Sequence, residues 1–141
     1  MKLNLGSGNR LLEGYIGVDL SPKADVVCDI RKLDFAKSSS VEEIIAIHVI
    51  EHFYKWEVQG ILQEWRRVLH PKGKIVLECP NLEIACRNLL NGTGDQLSMW
   101  ALYGNPNLKD EHHCHHWLYT PQSLIAELIK AGFRICTHNA A

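Results

Sequence analysis

No run of apolar residues in this chain approaches the roughly 20 that a membrane-crossing helix needs, which excludes a helical span. There is no C-x-x-C pair either: Cys28, Cys79, Cys86, Cys114 and Cys136 are odd in number and widely spaced. That pattern argues against a disulfide framework or a cysteine zinc knuckle and fits a reducing cytoplasm. Charge of one sign is also lacking, since the net charge is -1 with the eight histidines neutral. An electrostatic case for nucleic acid is therefore missing, and small or neutral substrates stay open. The opening MKLNLGSG has no charged segment followed by an apolar one, as a secretory signal would, and reads directly as a strand. What remains is ordinary globular usage, 46% apolar and 22% charged, over 141 residues. That length suits one domain, 1–141, with its own core.

The apolar pattern divides the chain into alternating elements. Lys2 to Leu5 reads as a buried strand stopped by Gly6-Ser7-Gly8, and Tyr15 to Leu20 as a second ending in Asp19-Leu20. DVVCDI, Asp25 to Ile30, reads as a third. Ile44 to Val49 is β-branched and continuous, as expected of a central strand covered on both faces. Lys74 to Cys79 is a fifth, stopped by Pro80. Between the last two, Val58, Ile61, Leu62, Trp65, Val68 and Leu69 recur at helical spacing, and His70-Pro71-Lys72-Gly73 breaks the pattern. Asn81 to Leu90 reads as another helix. Thr120 as N-cap and Pro121 at the first position open a last helix, which ends at Gly132. Phe133 to Thr137 reads as a final strand, and Asn91 to Leu118 as a long loop or lid.

Such alternation implies a largely parallel sheet with ligands at the carboxyl ends of its strands. The early connections, 7–14 and 21–24, are shorter than the dozen or so residues of a normal parallel crossover, so the early helices must be reduced. Gly6 and Gly8 allow close backbone approach to a ligand. Asp19, ending the second strand, can accept hydrogen bonds from a ribose diol. The dinucleotide fingerprint is incomplete, because its third glycine position is Leu11, which moves weight from a nicotinamide cofactor to another nucleoside ligand. Asp29, ending the third strand, can accept from an adenine amino group.

His48, Glu51 and His52 spell H-x-x-E-H, a zinc-peptidase pattern that requires one helix through all three. The approach through Ile44, Ile45, Ala46 and Ile47 reads instead as strand. Glu111-His112-His113-Cys114-His115-His116 is rich in ligand types but lacks the i, i+4 spacing of ordinary zinc sites. It reads as a loop able to lend one histidine, His113 or His116, to a substrate pocket. Trp117 and Tyr119 read as packing.

The ordered set LNLGSG, GVDL, VVCDI, IIAIHVIEHF and EWRRVLHPKGKIVLECPN resembles the class I S-adenosylmethionine-dependent methyltransferases, especially small bacterial members, over nearly the whole chain. The segment HHWLYTPQSLIAELIKAGF resembles their late helix and following strand. The resemblance implies a three-layer Rossmann-like α/β sandwich with a mostly parallel sheet, here reduced. It implies S-adenosylmethionine as cofactor, with Gly6, Ser7 and Gly8 at its methionine part, Asp19 and Leu20 at the ribose, and Asp29 and Ile30 at the adenine. His48 then belongs to the pocket floor near the sulfonium and is the candidate base, or else His48, Glu51 and His52 hold a divalent metal.

The sequence departs from the family pattern at Asn4, where an acidic residue is usual two positions before the first glycine, and no residues are left for the usual seventh strand, as in either a truncated chain or a minimal version with an exposed sheet edge. The expected partner is a small-molecule acceptor, with a second subunit covering the exposed sheet edge as a further expectation. A non-catalytic member that binds cofactor or a partner protein is the alternative reading.

Overall fold

Five parallel strands form one sheet: β1 (Lys2–Leu5), β2 (Ile16–Asp19), β3 (Val26–Val27), β4 (Val41–Ile47) and β5 (Leu69–Glu78), in the order β3-β2-β1-β4-β5. The computed structural model describes residues 1–93 and 96–136. These residues cluster into two units that alternate along the chain. The first takes Met1–Val49 and Gln59–Glu78, the second Ile50–Val58 and the chain from Cys79 onward.

In the first unit the order of strands reverses beside β1, which lies between β2 and β4. Leu3 sits opposite both Ile16 and Ile44, so apolar residues of three strands share one register. Leu3, Leu5, Val18, Ile44 and Ala46 are fully buried, as are Leu62, Trp65 and Val68 of the helix α1 (Val58–Val68). The i, i+3, i+4, i+7 spacing predicts that stripe. Arg66 and Arg67 fill the last turn of α1, where cations complement the helix dipole. Arg67 also caps the connection below it, donating to the carbonyls of Leu33 and Ala36.

In this unit two elements differ from the sequence reading. The breaker His70-Pro71-Lys72-Gly73 interrupts a strand rather than preceding one: β5 already pairs Leu69 with Val41, then resumes as Lys74 with Glu43. Gly73 fits there because a Cβ would lie 2.9 Å from the Glu42 carbonyl. The third strand shrinks to Val26–Val27. Asp25 is drawn aside, its Oδ2 accepting from the Gly17 N–H at 2.7 Å, and Cys28 to Ile30 turn away after a last bond from Cys28 N–H to the Asp19 carbonyl. As expected, no helix interrupts the early connections 7–14 and 21–24.

The second unit is helical: α2 (Leu82–Leu90), α3 (Gln96–Tyr103) and α4 (Pro121–Lys130), with short 3-10 turns at Ile50–His52, Pro106–Leu108 and Glu111–His113. Asn81 caps α2, accepting from Glu83 and Ile84 N–H, and Thr120 caps α4 in a reciprocal pair with Ser123. The region read as a loop, 91–118, thus contains one helix and two turns. Residues 133–136 form no strand, and Thr137, the end of the final strand read from sequence, lies outside the described residues. Among the described residues no helix is long and apolar enough to cross a membrane.

Candidate functional site

At the carboxyl end of β1 the chain turns sharply through Gly6-Ser7-Gly8. Gly6 and Gly8 have φ of 68° and 54°, left-handed values that glycine adopts without strain. Gly6 has a second reason to be glycine, since a Cβ would stand 2.5 Å from Val49 Cγ2 just beyond β4. Gly8 is different: a Cβ there would meet nothing within 4 Å, so the turn borders open space. The Gly6 N–H donates to the Val18 carbonyl at 2.8 Å, continuing the pairing of β1 with β2 past the strand end. Ser7 is buried, and its hydroxyl has no protein partner among the described residues.

Asp19 closes the turn. Its Oδ2 accepts from Gly8 N–H at 2.9 Å and its Oδ1 from Ser21 N–H at 2.8 Å. Each carboxylate oxygen keeps a further lone pair for a ligand hydroxyl. Leu20 beside it is exposed. Asp29 is held in the same manner, accepting from the Arg31 N–H at 2.9 Å and from its guanidinium. Ile30 is buried, and its carbonyl accepts from the Trp65 indole at 2.9 Å, fixing this bend to α1. Asn4, at the position usually acidic, donates to the Arg10 carbonyl at 3.2 Å and so braces the glycine turn from behind.

His48 follows β4 with φ of 55°, a left-handed conformation uncommon for a residue with a side chain. Its N–H donates to the Glu78 carbonyl at 2.9 Å, and its Nε2 lies 3.4 Å from Glu78 Oε1. The backbone therefore breaks at His48, and Ile50–His52 form a single 3-10 turn. No α-helix carries the H-x-x-E-H residues, so the arrangement the peptidase pattern needs is missing.

In the second unit Glu51 and His52 come together with His115, a residue that sequence spacing did not single out. One ligand atom from each lies within 4.8 Å of the others. Glu51 is fully buried and His115 Nε2 is 3.9 Å from its Oε1. The His52 and His115 rings meet edge to face, centroids 4.8 Å apart. Burial pushes the His52 imidazole below its ordinary pKa, against the pull of Glu51. His116, one of the two histidines expected to serve a pocket, stacks on Tyr54, which stacks on Trp56. His113 lies near Asp110, 3.9 Å away. Tyr119 is buried, as expected of a packing residue, whereas Trp117 is largely exposed. All five cysteines are free thiols.

The order β3-β2-β1-β4-β5, with a glycine turn after β1 and a carboxylate after β2, is the arrangement in which open α/β sheets bind nucleotides at the reversal of strand order. Residues 5–77 match the family model described as a methyltransferase domain, slightly more than half the chain. The chain belongs to the class I S-adenosylmethionine-dependent methyltransferases. Solved structures share the methyltransferase fold at low identity. A SAM-dependent methyltransferase from Archaeoglobus fulgidus superposes with TM-score 0.67 at 21% identity, covering 94% of this chain and 60% of that one. One from Thermotoga maritima gives 0.62 at 15%, covering 95% and 64%. A complex between a methyltransferase activator and a methyltransferase from Haloferax volcanii gives 0.63 at 14%, covering 96% and 62%. The methyltransferase chain described here thus spans about three fifths of the length of the solved structures it matches. A comparison with curated protein sequences finds no match. The expected fold class, a reduced Rossmann-like α/β methyltransferase, is the one observed.

Proposed function

We propose that this domain binds S-adenosylmethionine at the strand ends of its first unit and transfers the methyl group to a small-molecule acceptor. The observation that carries the reading is the coupled turn in which Gly8 and Asp19 hold each other beside open space. The residues fit the cofactor: a left-handed glycine turn admits its methionine part, and two carboxylates braced by backbone N–H groups face its polar nucleoside. Asp19 would hold the ribose hydroxyls, with Leu20 flanking them. Asp29 would take the adenine amino group, with Ile30 as its apolar neighbour. When bound, the cofactor supplies a methyl group already activated by a sulfonium.

The chain's own work is then alignment and exclusion of water rather than bond activation. Asp19 reaches the ligand pre-oriented, because Gly8 and Ser21 already fix its carboxylate. His48 is the candidate for accepting a proton from the acceptor at Nδ1, with Glu78, beside Nε2, steadying the imidazolium that results. The test is incubation with methyl-labelled S-adenosylmethionine and a small-molecule extract. Labelled products that depend on the protein and fall with Asp19→Ala support the reading. No labelled product above the protein-free control counts against catalysis.

A further inference from the structure

We propose that Glu51, His52 and His115 form a binding site for a divalent transition-metal ion such as zinc. The inference is independent of the cofactor reading, since all three residues belong to the second unit. Two imidazoles and one carboxylate are the donor set of open, three-ligand zinc centres, which leave further positions for water or an exogenous oxygen donor.

The orientation of the rings carries the argument. His52 Nδ1 is 3.1 Å from the Cys114 carbonyl, and His115 Nδ1 is 2.8 Å from the Ala101 carbonyl. A carbonyl can only accept, so Nδ1 donates in both rings, and in the neutral tautomer that this selects the lone pair lies on Nε2. Backbone carbonyls that fix the tautomer in this way are the usual outer support of metal-bound histidine. In that tautomer Nε2 is the ligating atom of both rings.

The backbone brings the two segments together for reasons of its own. Gly104, with φ of 89°, pairs with Cys114 in an antiparallel bridge, and a Cβ at Gly104 would collide with the His113 carbonyl. The next residue, His115, donates its N–H to the Tyr103 carbonyl at 3.2 Å, which sets its ring against the end of α3. His116 and Trp117 N–H then both donate to the Glu51 carbonyl, at 2.8 and 3.3 Å. Glu51 is thereby locked to the segment that carries His115. Its carboxylate is fully buried beside the two imidazole rings, with His115 Nε2 3.9 Å away.

The spread of up to 4.8 Å between ligand atoms exceeds the roughly 3.3 Å expected of atoms bound at about 2.0–2.1 Å around a tetrahedral ion. Binding an ion would therefore draw the three side chains together by rotation about their own bonds.

The test starts from protein stripped with a chelator and then titrated with zinc and, separately, cobalt. The expected result is one equivalent bound, a visible cobalt absorption band of low-symmetry nitrogen and oxygen ligation, and a zinc-dependent rise in melting temperature. Glu51→Gln, His52→Gln and His115→Gln should each weaken zinc binding about tenfold or more, while His112→Gln, outside the cluster, should not. Should one variant fail to fold, the other two and the cobalt spectrum still decide. Sub-stoichiometric zinc, or affinity unchanged by all of the folded cluster variants, would overturn the proposal.

Discussion

The N–H of Gly8 donates to Oδ2 of Asp19 at 2.9 Å, tying the turn after β1 to the end of β2. A carboxylate is needed because the other oxygen serves Ser21 N–H at the same time. In Asp19→Asn one of those two donors would face an NH₂ group. That variant should lose about 1–3 kcal/mol of stability, the cost of a part-buried donor left unmet. Urea unfolding of the two proteins measures it, and equal midpoints would show that the turn does not depend on the pair.

Gly6 and Gly8 should respond differently to alanine. Gly6→Ala combines left-handed strain with an approach of 2.5 Å to Val49, for an expected loss of about 2–4 kcal/mol. Adding Val49→Ala should return the steric part, a non-additive result that a double-mutant cycle reads directly. Gly8→Ala meets no atom, so only strain of about 1 kcal/mol is expected in stability. Its larger effect should be on cofactor binding, because the Cβ would project into the space the ligand is proposed to use.

These positions were legible in the sequence because their signals are local. Gly-Ser-Gly after the alternating stretch Lys2–Leu5 places the turn, and Thr120-Pro121 places the start of α4. The DVVCDI pattern predicts a longer strand than forms because nothing in it shows Asp25 turning to cap Gly17. His115 carries no distinguishing signal for a related reason. Within His112-His113-Cys114-His115-His116 every histidine has the same local chemistry, and only the bridge of Cys114 to Gly104 turns His115 toward the buried Glu51. That bridge is a long-range pairing with no periodicity to announce it.

Glu64 supplies a pH dependence. Its carboxylate accepts from the Arg67 guanidinium through both oxygens and from Leu33 N–H at 2.8 Å. The hydrogen bonds to Arg67 hold its pKa below the ordinary value, outweighing the opposing effect of burial. Since the folded value is depressed, the stabilisation is complete above the unfolded pKa of about 4.3 and is lost as pH falls through the lower folded value. Glu64→Gln should be less stable at neutral pH by about 1–3 kcal/mol and should show a shallower acid limb. Denaturation midpoints from about pH 3 to about pH 7, a range that brackets the ordinary carboxylate values, check both.

Tyr119 should behave in the opposite sense. It is buried, its hydroxyl has no protein partner among the described residues, and burial pushes its pKa well above the ordinary value. Tyr119→Phe removes a polar atom while keeping the ring, so stability should be unchanged or raised by up to about 1–3 kcal/mol. A clear loss would reveal a hydrogen bond on which the second unit depends.

The central claim is that the strand ends of the first unit hold S-adenosylmethionine. Calorimetric titration of the wild-type protein with S-adenosylhomocysteine, the demethylated product, beside Asp19→Ala and Gly8→Ala, tests it most directly. The account predicts saturable one-to-one binding that falls about tenfold or more in both variants, the loss of a charged hydrogen bond in one and steric occupation in the other. No saturable heat in the folded wild type, or equal affinity in all three proteins, would contradict it.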